Sequence, residues 1–146
     1  MNPIVVQKFG GTSVASESMR TQVISHVIRA IDEGYSRVVV VRAMGRRGDP
    51  YATDSLLELV KADAGDPGTG DREIDLLLSC GEVISTVVLA QMLKKAGHRA
   101  RSFTGAQAGI VTDDQHGEAR ILRIDTKWLI EAVDEGFIPV VAGFQG

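Results

Sequence analysis

The sequence of 146 residues has a single cysteine, four prolines and few aromatic residues, which make up 5% of the chain. Cys80 has no partner for an internal disulfide and is most simply a packed thiol, so a reducing, cytoplasmic compartment is favoured. The histidines, His26, His98 and His116, are scattered and lack cysteine partners at metal-ligand spacing. We therefore expect no metal site built by the chain itself.

The sequence also lacks a large excess of one charge sign and any long apolar run. The formal net charge of −3 gives no electrostatic reason to expect a nucleic acid or an anionic membrane as partner. No uninterrupted apolar run approaches the roughly 20 residues of a membrane span, and the N-terminus lacks the order of a signal peptide. With 44% hydrophobic and 24% charged residues, the composition predicts one globular domain.

The apolar residues alternate between patterns typical of strands and patterns typical of helices. Strands are predicted at residues 4–6, 38–41, 99–104, 120–124 and 138–144. Helices are predicted at 19–31, from 53 or 54 to about 60, from 71 or 72 to about 95 with an interruption near Gly81, and after a cap at Thr126. Strands separated by helices imply a three-layer α/β/α sandwich with a mainly parallel sheet.

Two further segments concern the organisation of the chain. Residues 65–70 are rich in glycine and predict a flexible loop. Residues 140–146 form an apolar strand that runs into a glycine turn. A buried type of strand as the last element leaves an apolar edge unless more chain follows, so we expect a truncated chain.

A glycine-rich motif, Lys8-Phe9-Gly10-Gly11-Thr12-Ser13-Val14, follows the first strand and precedes the first helix. In a parallel sheet this position faces the ligand crevice. The two glycines allow a phosphate to approach the backbone N–H groups, and Lys8 adds a full positive charge. The spacing matches neither a Walker A loop nor a dinucleotide fingerprint. A tight turn with a solvated lysine is the competing interpretation, and the pattern leaves both open.

Three other positions are candidates for binding. Glu82 follows an apolar helical turn, where a carboxylate held near the sheet could bind an ammonium group, although a surface glutamate at a helix start is the simpler interpretation. Thr53 with Asp54 could position a substrate carboxylate or only cap a helix. Arg42, at the end of the second strand, could attract an anion or lie on a solvated loop.

Several segments, in matching order, resemble the aspartokinases of the amino-acid kinase superfamily. The glycine-rich motif resembles their opening motif, and Thr53-Asp54 resembles their Thr-Thr-Asp. Further similar segments are residues 38–45 (family pattern Val-Val-Ser-Ala-Met-Gly), 76–82 (Leu-Leu-x-x-Gly-Glu), 103–112 (Thr-Gly-x-Gln-Ala-Gly) and 140–146 (Val-Ala-Gly-Phe-Gln-Gly). Residues 45–57 are similar to the diaminopimelate-sensitive bacillar type in particular.

The resemblance implies an amino-acid kinase fold and ATP-dependent phosphorylation of the L-aspartate side-chain carboxylate. The product, 4-phospho-L-aspartate, leads toward diaminopimelate, lysine, threonine and methionine. By resemblance, Lys8 is the catalytic residue, and Lys8, Phe9, Gly10 and Gly11 bind the ATP phosphates. Mg²⁺ accompanies ATP, and the full-length protein is expected to be a homo-oligomer.

The resemblance also assigns the substrate site. Thr53 helps to bind aspartate and Glu82 binds its ammonium group. Arg42 is a departure, because the family usually has serine there. Residues 1–146 correspond to the amino-acid-binding part of the kinase domain; the nucleotide-binding half and the regulatory ACT domains are absent. The chain is therefore expected to be inactive alone.

Two alternatives remain open at this stage. The Lys8 motif is also compatible with another kinase of the superfamily, acting on acetylglutamate or glutamate. Arg42 and the absent second half are compatible with a non-catalytic module that binds an anion or a partner subunit.

Overall fold

A computed structural model describes residues 2–64 and 72–146, with side chains of 61–64 excepted. The predicted loop at 65–70 lies outside the described residues. The strands are β1 (Ile4–Phe9), β2 (Ser36–Val41), β3 (Ala100–Phe103), β4 (Ile110–Thr112), β5 (Ile121–Ile124) and β6 (Ile138–Ala142). The helices are a short 3-10 helix (Gly11–Val14), α1 (Glu17–Asp32), α2 (Thr53–Ala64), α3 (Arg72–Lys95) and α4 (Lys127–Asp134).

The main sheet has four parallel strands in the order β1-β2-β6-β3. Lys8 pairs in register with Val40, and Val41 pairs with Ala142. Each parallel neighbour is reached through a helical crossover, as the alternating pattern predicts. The predicted α/β class with a parallel sheet is confirmed. β4 and β5 form a separate antiparallel pair, of which only β5 was expected from the sequence.

The core lies on both faces of this sheet. On one face, α1 and α3 contribute the fully buried Val27, Leu89 and Leu93, which cluster with Val39 and Val140 of the sheet. Removing each such side chain from water stabilises the fold by roughly 1.5–3 kcal/mol. The other face is covered by α4, which forms a smaller cluster around Val38, Ala132 and Val141. Helices on both faces give the predicted three layers.

The start of each helix depends on its first residues. Ser16 caps α1, because its hydroxyl accepts a hydrogen bond from the backbone N–H of Met19 at 3.2 Å. Thr126 occupies the predicted cap position of α4, but its side chain makes no capping hydrogen bond. Thr53 and Asp54, the two residues predicted as caps, are the first two residues within α2, so neither precedes the helix as a cap does.

Helix α3 is continuous from Arg72 to Lys95, so the predicted interruption near Gly81 is wrong. A side chain at Gly81 would lie 2.8 Å from Leu56 Cδ1 and 3.0 Å from the carbonyl oxygen of Tyr51. Glycine at this position therefore allows α2 to cross α3 closely and does not end the helix. An intact helix accepts it at a cost of about 1 kcal/mol relative to alanine.

By length and composition, α3 is also apolar enough to cross a membrane, since its most apolar window has a mean hydropathy of 1.8. Part of that apolar surface is used inside the fold: Leu89 and Leu93 are buried against the sheet. Core helices pass the same test of length and composition. α3 packs on the sheet beside α1, and this packing accounts for the buried part of its apolar surface.

Candidate active site

The carboxyl ends of the parallel strands define the edge of the sheet where the candidate residues lie. Phe9 of β1 pairs with Val41 of β2, and Phe103 of β3 pairs with Val141 of β6. The glycine loop, the Arg42 turn and the segment 143–146 therefore leave the sheet side by side. In parallel α/β sheets, this is the edge where ligands bind.

Glu82 is buried at this edge, with 6% of its surface exposed. It lies inside α3, so the interpretation as a surface glutamate at a helix start is wrong. Gln145 Nε2 donates a hydrogen bond to Glu82 Oε2 at 3.2 Å. Burial raises the pKa of the Glu82 carboxyl to about 7, although the Gln145 hydrogen bond and the positive charge of Arg42 act in the opposite direction. The site thus holds a carboxylate that lacks a full counter-charge.

Gln145 connects three segments of the edge. Besides Glu82, its Nε2 donates to the carbonyl oxygen of Ser79 at 3.2 Å, and its Oε1 accepts from the backbone N–H of Gly105 at 3.3 Å. A side chain at Gly105 would overlap the backbone carbonyl of Gln145, so the two loops need glycine there. Gln145 was not among the candidate residues from the sequence. The feature that could have identified it is its position in a family-like segment that follows a buried strand.

Arg42 also points toward this edge. Its guanidinium lies 4.2 Å from the centre of the Phe144 ring, a cation–π geometry worth about 0.5–1 kcal/mol at exposed sites. Phe144 has φ of 58°, an uncommon conformation for a bulky residue. Strained backbone of this kind concentrates at functional sites. Phe144, like Gln145, is a contact that the sequence candidates did not include.

The glycine loop lies beside the Arg42 turn. Gly45 N–H donates to the carbonyl oxygen of Gly11 at 3.1 Å. A side chain at Gly11 would approach the carbonyl oxygen of Ala43 to 2.5 Å, whereas Gly10 has open space around it. Within the described residues, the backbone N–H groups of Gly11 and Thr12 have no backbone acceptor. Lys8 is exposed near the end of β1.

Thr53 is half-buried at the start of α2, where α2 crosses α3 beside Gly81, the neighbour of Glu82. The structure thus brings Glu82 and Arg42 to one place with Gln145 and Phe144. It puts Lys8 and the glycines on the same edge and Thr53 on the adjoining helix. No hydrogen bond or ion pair joins Lys8 or Thr53 to Glu82 within the described part of the chain.

Two concave regions lie away from this edge. A cavity of about 240 Å³ at the amino ends of the strands is lined by residues that include Arg37, His98 and Arg99. A second, of about 460 Å³, lies between α1 and α3. Neither includes Glu82. Arg37 is itself buried, and its lowered pKa follows first from desolvation, with Asp32 opposing the effect.

The two glycines of the loop provide a prediction about stability. Gly11→Ala is expected to lower the free energy of unfolding by about 1–3 kcal/mol, because backbone has to move away from the new methyl group. Gly10→Ala is the matched control, with an expected change within about 0.5 kcal/mol, since Gly10 has φ of −75° and open space. Urea denaturation measures both. Equal stabilities of the two variants would contradict the close packing of Gly11 on Ala43.

Comparisons with known proteins agree with this architecture. The family described as "Amino acid kinase family" matches residues 3–146. Aspartokinase 1 of Bacillus subtilis (strain 168) is 52% identical over 98% of this chain and 35% of its own length. The crystal structure of aspartate kinase from Synechocystis has a TM-score of 0.78 and 38% identity, over 98% of this chain and 22% of that one. E. coli aspartokinase III in complex with aspartate and ADP shares the fold, with a TM-score of 0.70 and 19% identity over 95% of this chain and 40% of that one.

These likenesses differ in how much of each protein they cover. The chain spans about a third of the length of curated relatives such as Aspartokinase 1 (35%). Within this chain the match is nearly complete, because it spans residues 3–146. Similar sequence, the parallel α/β fold and the match over residues 3–146 lead to one conclusion: the chain belongs to the amino acid kinase family.

Proposed function

We propose that this chain is the amino-acid-binding part of an aspartate kinase, in which ATP phosphorylates the side-chain carboxylate of L-aspartate. The observation that carries the proposal is Glu82: a buried carboxylate, bound by Gln145, at the ligand-binding edge of a parallel sheet. Buried carboxylates without a full counter-charge are costly unless a ligand supplies one. The 52% identity to a protein named Aspartokinase 1 supports aspartate as that ligand.

Glu82 is the receptor for the substrate ammonium group in this proposal. A bound cation favours the ionised carboxylate and so lowers the pKa of Glu82 from about 7. Thr53 contributes its hydroxyl to the aspartate from the start of α2, where acceptor groups of the ligand also meet the partial positive charge of the helix. Phosphorylation needs an ionised substrate carboxylate, which is already a nucleophile at neutral pH.

The phosphates of ATP are assigned to the glycine loop. Gly10 has open space for a close approach, the N–H groups of Gly11 and Thr12 are available, and Phe9 carries the loop out of β1. Lys8 adds a positive charge that stabilises the negative charge on the transferred phosphoryl group. This assignment makes Lys8 the catalytic residue and Lys8, Phe9, Gly10 and Gly11 the phosphate-binding set.

The reaction is a displacement at the γ-phosphorus of ATP. A carboxylate oxygen of aspartate forms the new O–P bond, the bond between the γ-phosphorus and the β,γ-bridging oxygen breaks, and ADP leaves with that electron pair. Mg²⁺ bound to the nucleotide shields the repulsion between carboxylate and phosphate. Mg²⁺ would be bound with the nucleotide, whose phosphate oxygens are hard ligands of the kind it prefers.

The place of this chain in a longer protein, in the cell and in metabolism is also a proposal. Residues 1–146 are assigned to the amino-acid-binding part of the kinase domain, with the nucleotide-binding half and ACT regulatory domains supplied by further chain. We place the protein in the cytoplasm and assign its product to the biosynthesis of lysine and related amino acids. Cys80 is exposed, contrary to the expected packed thiol, and a free exposed thiol fits a reducing compartment. A homo-oligomer is expected for the full-length protein.

Release of ADP from Mg-ATP tests the proposed activity with L-aspartate, L-glutamate and N-acetylglutamate as acceptors. The 146-residue chain is compared with the product of the complete coding sequence. We expect turnover only in the longer product and only with L-aspartate. Turnover with glutamate or acetylglutamate instead would favour another kinase of the superfamily. Failure of every acceptor in the longer product would favour a non-catalytic binding module.

A further inference from the structure

The amino-end cavity, of about 240 Å³, has two arginines and a histidine in its lining. Arg37 belongs to the start of β2, and His98 and Arg99 come from the turn between α3 and β3. No acidic residue is among the lining residues that the structure describes. The volume is many times what one water molecule needs and below the roughly 300–1,000 Å³ of pockets for drug-sized ligands. The cavity therefore suits a small anion.

Arg37 is buried in this lining without the partners that a buried cation needs. It is 7% exposed, and its Nε has no hydrogen-bond partner in the part of the chain that the structure describes. Desolvation lowers the pKa of Arg37, and the charge of Asp32 offsets this only in part. The two form no salt bridge among those found in residues 2–64 and 72–146. A buried N–H of this kind is costly unless an acceptor reaches it.

Arg99 is an exposed second cation that is held in a fixed position. Its Nη1 donates to the backbone carbonyl oxygen of Glu135 at 2.7 Å, and its guanidinium lies 4.0 Å from the centre of the Phe137 ring. The carboxylate of Glu135 is paired with Arg101 at 3.1 Å. Arg99 itself forms no salt bridge within the described residues. The cavity thus has two guanidinium groups, and neither is paired with a carboxylate.

The charge of the two arginines indicates which anion fits. A phosphate group carries about −1.5 to −2 near pH 7, and guanidinium groups donate parallel hydrogen bonds to its oxygens. A monocarboxylate has a single charge and would leave one arginine unmatched. An α-amino acid would also bring its ammonium group next to the guanidinium groups, and like charges disfavour each other. The cavity therefore favours phosphate over acetate and over an amino acid.

We propose that the amino-end cavity is a phosphate-binding site in which Arg37 and Arg99 bind the oxyanion together and His98 supplies a further donor. The ligand is free phosphate or the phosphoryl end of a small phosphomonoester. This site is separate from the carboxyl edge: Arg37 and Arg42 are five residues apart, roughly 16 Å of extended chain at about 3.3 Å per residue. The inference goes beyond the proposed function and does not depend on it.

Titration of inorganic phosphate into the ¹⁵N-labelled chain near pH 8 tests this site, with the ionic strength held constant by NaCl. We expect saturable amide shifts at Arg37, His98 and Arg99. The affinity should fall at least about tenfold in Arg37→Gln and in Arg99→Gln, because a hydrogen bond to a charged group contributes about that much. Arg123→Gln is the matched control, since Arg123 is exposed in β5 and does not line the cavity; its affinity should stay within about twofold.

Two further ligands identify the source and the specificity. Glycerol 3-phosphate is a phosphomonoester, so tighter binding than that of inorganic phosphate would support the site and assign it to a phosphorylated metabolite. Binding that is equal or weaker would support it as a site for free phosphate. Acetate should give no saturable shifts at the cavity. Binding of acetate as tight as that of phosphate would overturn the phosphate assignment.

Other results would overturn the site as a whole. Shifts confined to residues 9–12 would place the phosphate at the glycine loop instead, and shifts that never saturate would show that the cavity holds water only. Unchanged affinity in both Arg37→Gln and Arg99→Gln would remove the arginines from the assignment. Thermal melting shows whether each variant is folded, and phosphate should raise the Tm of the wild type more than that of either variant. If Arg37→Gln fails to fold, Arg99→Gln decides the test, because Arg99 is exposed.

Discussion

Glu82→Gln is expected to stabilise the fold above pH 7 and at the same time to weaken L-aspartate binding by at least about a hundredfold. The two effects have opposite signs because they come from the same charge. Burial makes the ionised carboxylate unfavourable in the folded chain, as its raised pKa of about 7 indicates. The same negative charge is needed to bind the ammonium group of the ligand. Glutamine keeps the shape and can still accept from Gln145, but it removes the charge.

The pH dependence gives the sign of the stability effect. The folded pKa of Glu82 is about 7 and the ordinary value is 4.5, so the folded state binds more protons than the unfolded state between these values. The free energy of unfolding therefore falls as pH rises through this window, by at most about 3 kcal/mol. Glu82→Gln should match the wild type near pH 5 and exceed its stability near pH 8.

Urea denaturation near these two pH values measures the effect, with Glu131→Gln as the matched control. Glu131 is partly exposed in α4, in a weak ion pair with Lys127 at 4.0 Å, so its replacement should change stability by less than about 0.5 kcal/mol at either pH. A Glu82→Gln variant that is equally or less stable than the wild type near pH 8 would show that Glu82 is compensated inside the fold. In that case its burial would no longer indicate a ligand.

Lys8→Met is expected to lower the turnover of the complete coding product by about 100- to 1000-fold, with little change in stability. Lys8 is exposed on β1 and makes no ion pair within the described residues, so the fold does not depend on its charge. In the proposed mechanism, the transferred phosphoryl group is stabilised by the charge of Lys8. Methionine keeps the length and apolar part of the side chain.

Steady-state kinetics of ADP release, with L-aspartate varied, measures the effect of Lys8→Met. Lys94→Met is the control, because Lys94 is an exposed lysine in the last turn of α3, away from the carboxyl edge. We expect kcat to fall in Lys8→Met and to remain within about twofold in Lys94→Met. Unchanged kcat in Lys8→Met would remove Lys8 from the catalytic assignment and leave the glycine backbone as the phosphate-binding element.

The main sheet was predictable because its strands have strong local signals. The β-branched run at 38–41 and the apolar run at 138–142 are buried on both faces of a parallel sheet, and such strands are apolar throughout. β4 has three residues and lies outside the main sheet, too short for a periodic pattern. The continuity of α3 was missed because the reason for Gly81 is its contact with Leu56, which is distant in sequence.

The candidate site was predictable only in part, and for a similar reason. Glu82 was a candidate from the sequence, but its burial depends on where α3 packs, and composition does not show this. Gln145 and Phe144 were visible in a family-like segment, yet their roles come from side-chain contacts across 63 residues to Glu82 and from a left-handed backbone angle. Such long-range contacts are set by tertiary packing and not by local pattern.

The central claim is that L-aspartate binds at the carboxyl edge of the sheet, and amide chemical-shift mapping tests it most directly. L-Aspartate is titrated into the ¹⁵N-labelled chain near pH 8. The structure predicts shifts concentrated at Glu82, Gln145 and the glycine loop, and their loss in Glu82→Gln. Shifts concentrated instead at the amino-end cavity beside Arg37 and His98, or shifts that persist unchanged in Glu82→Gln, would contradict the claim.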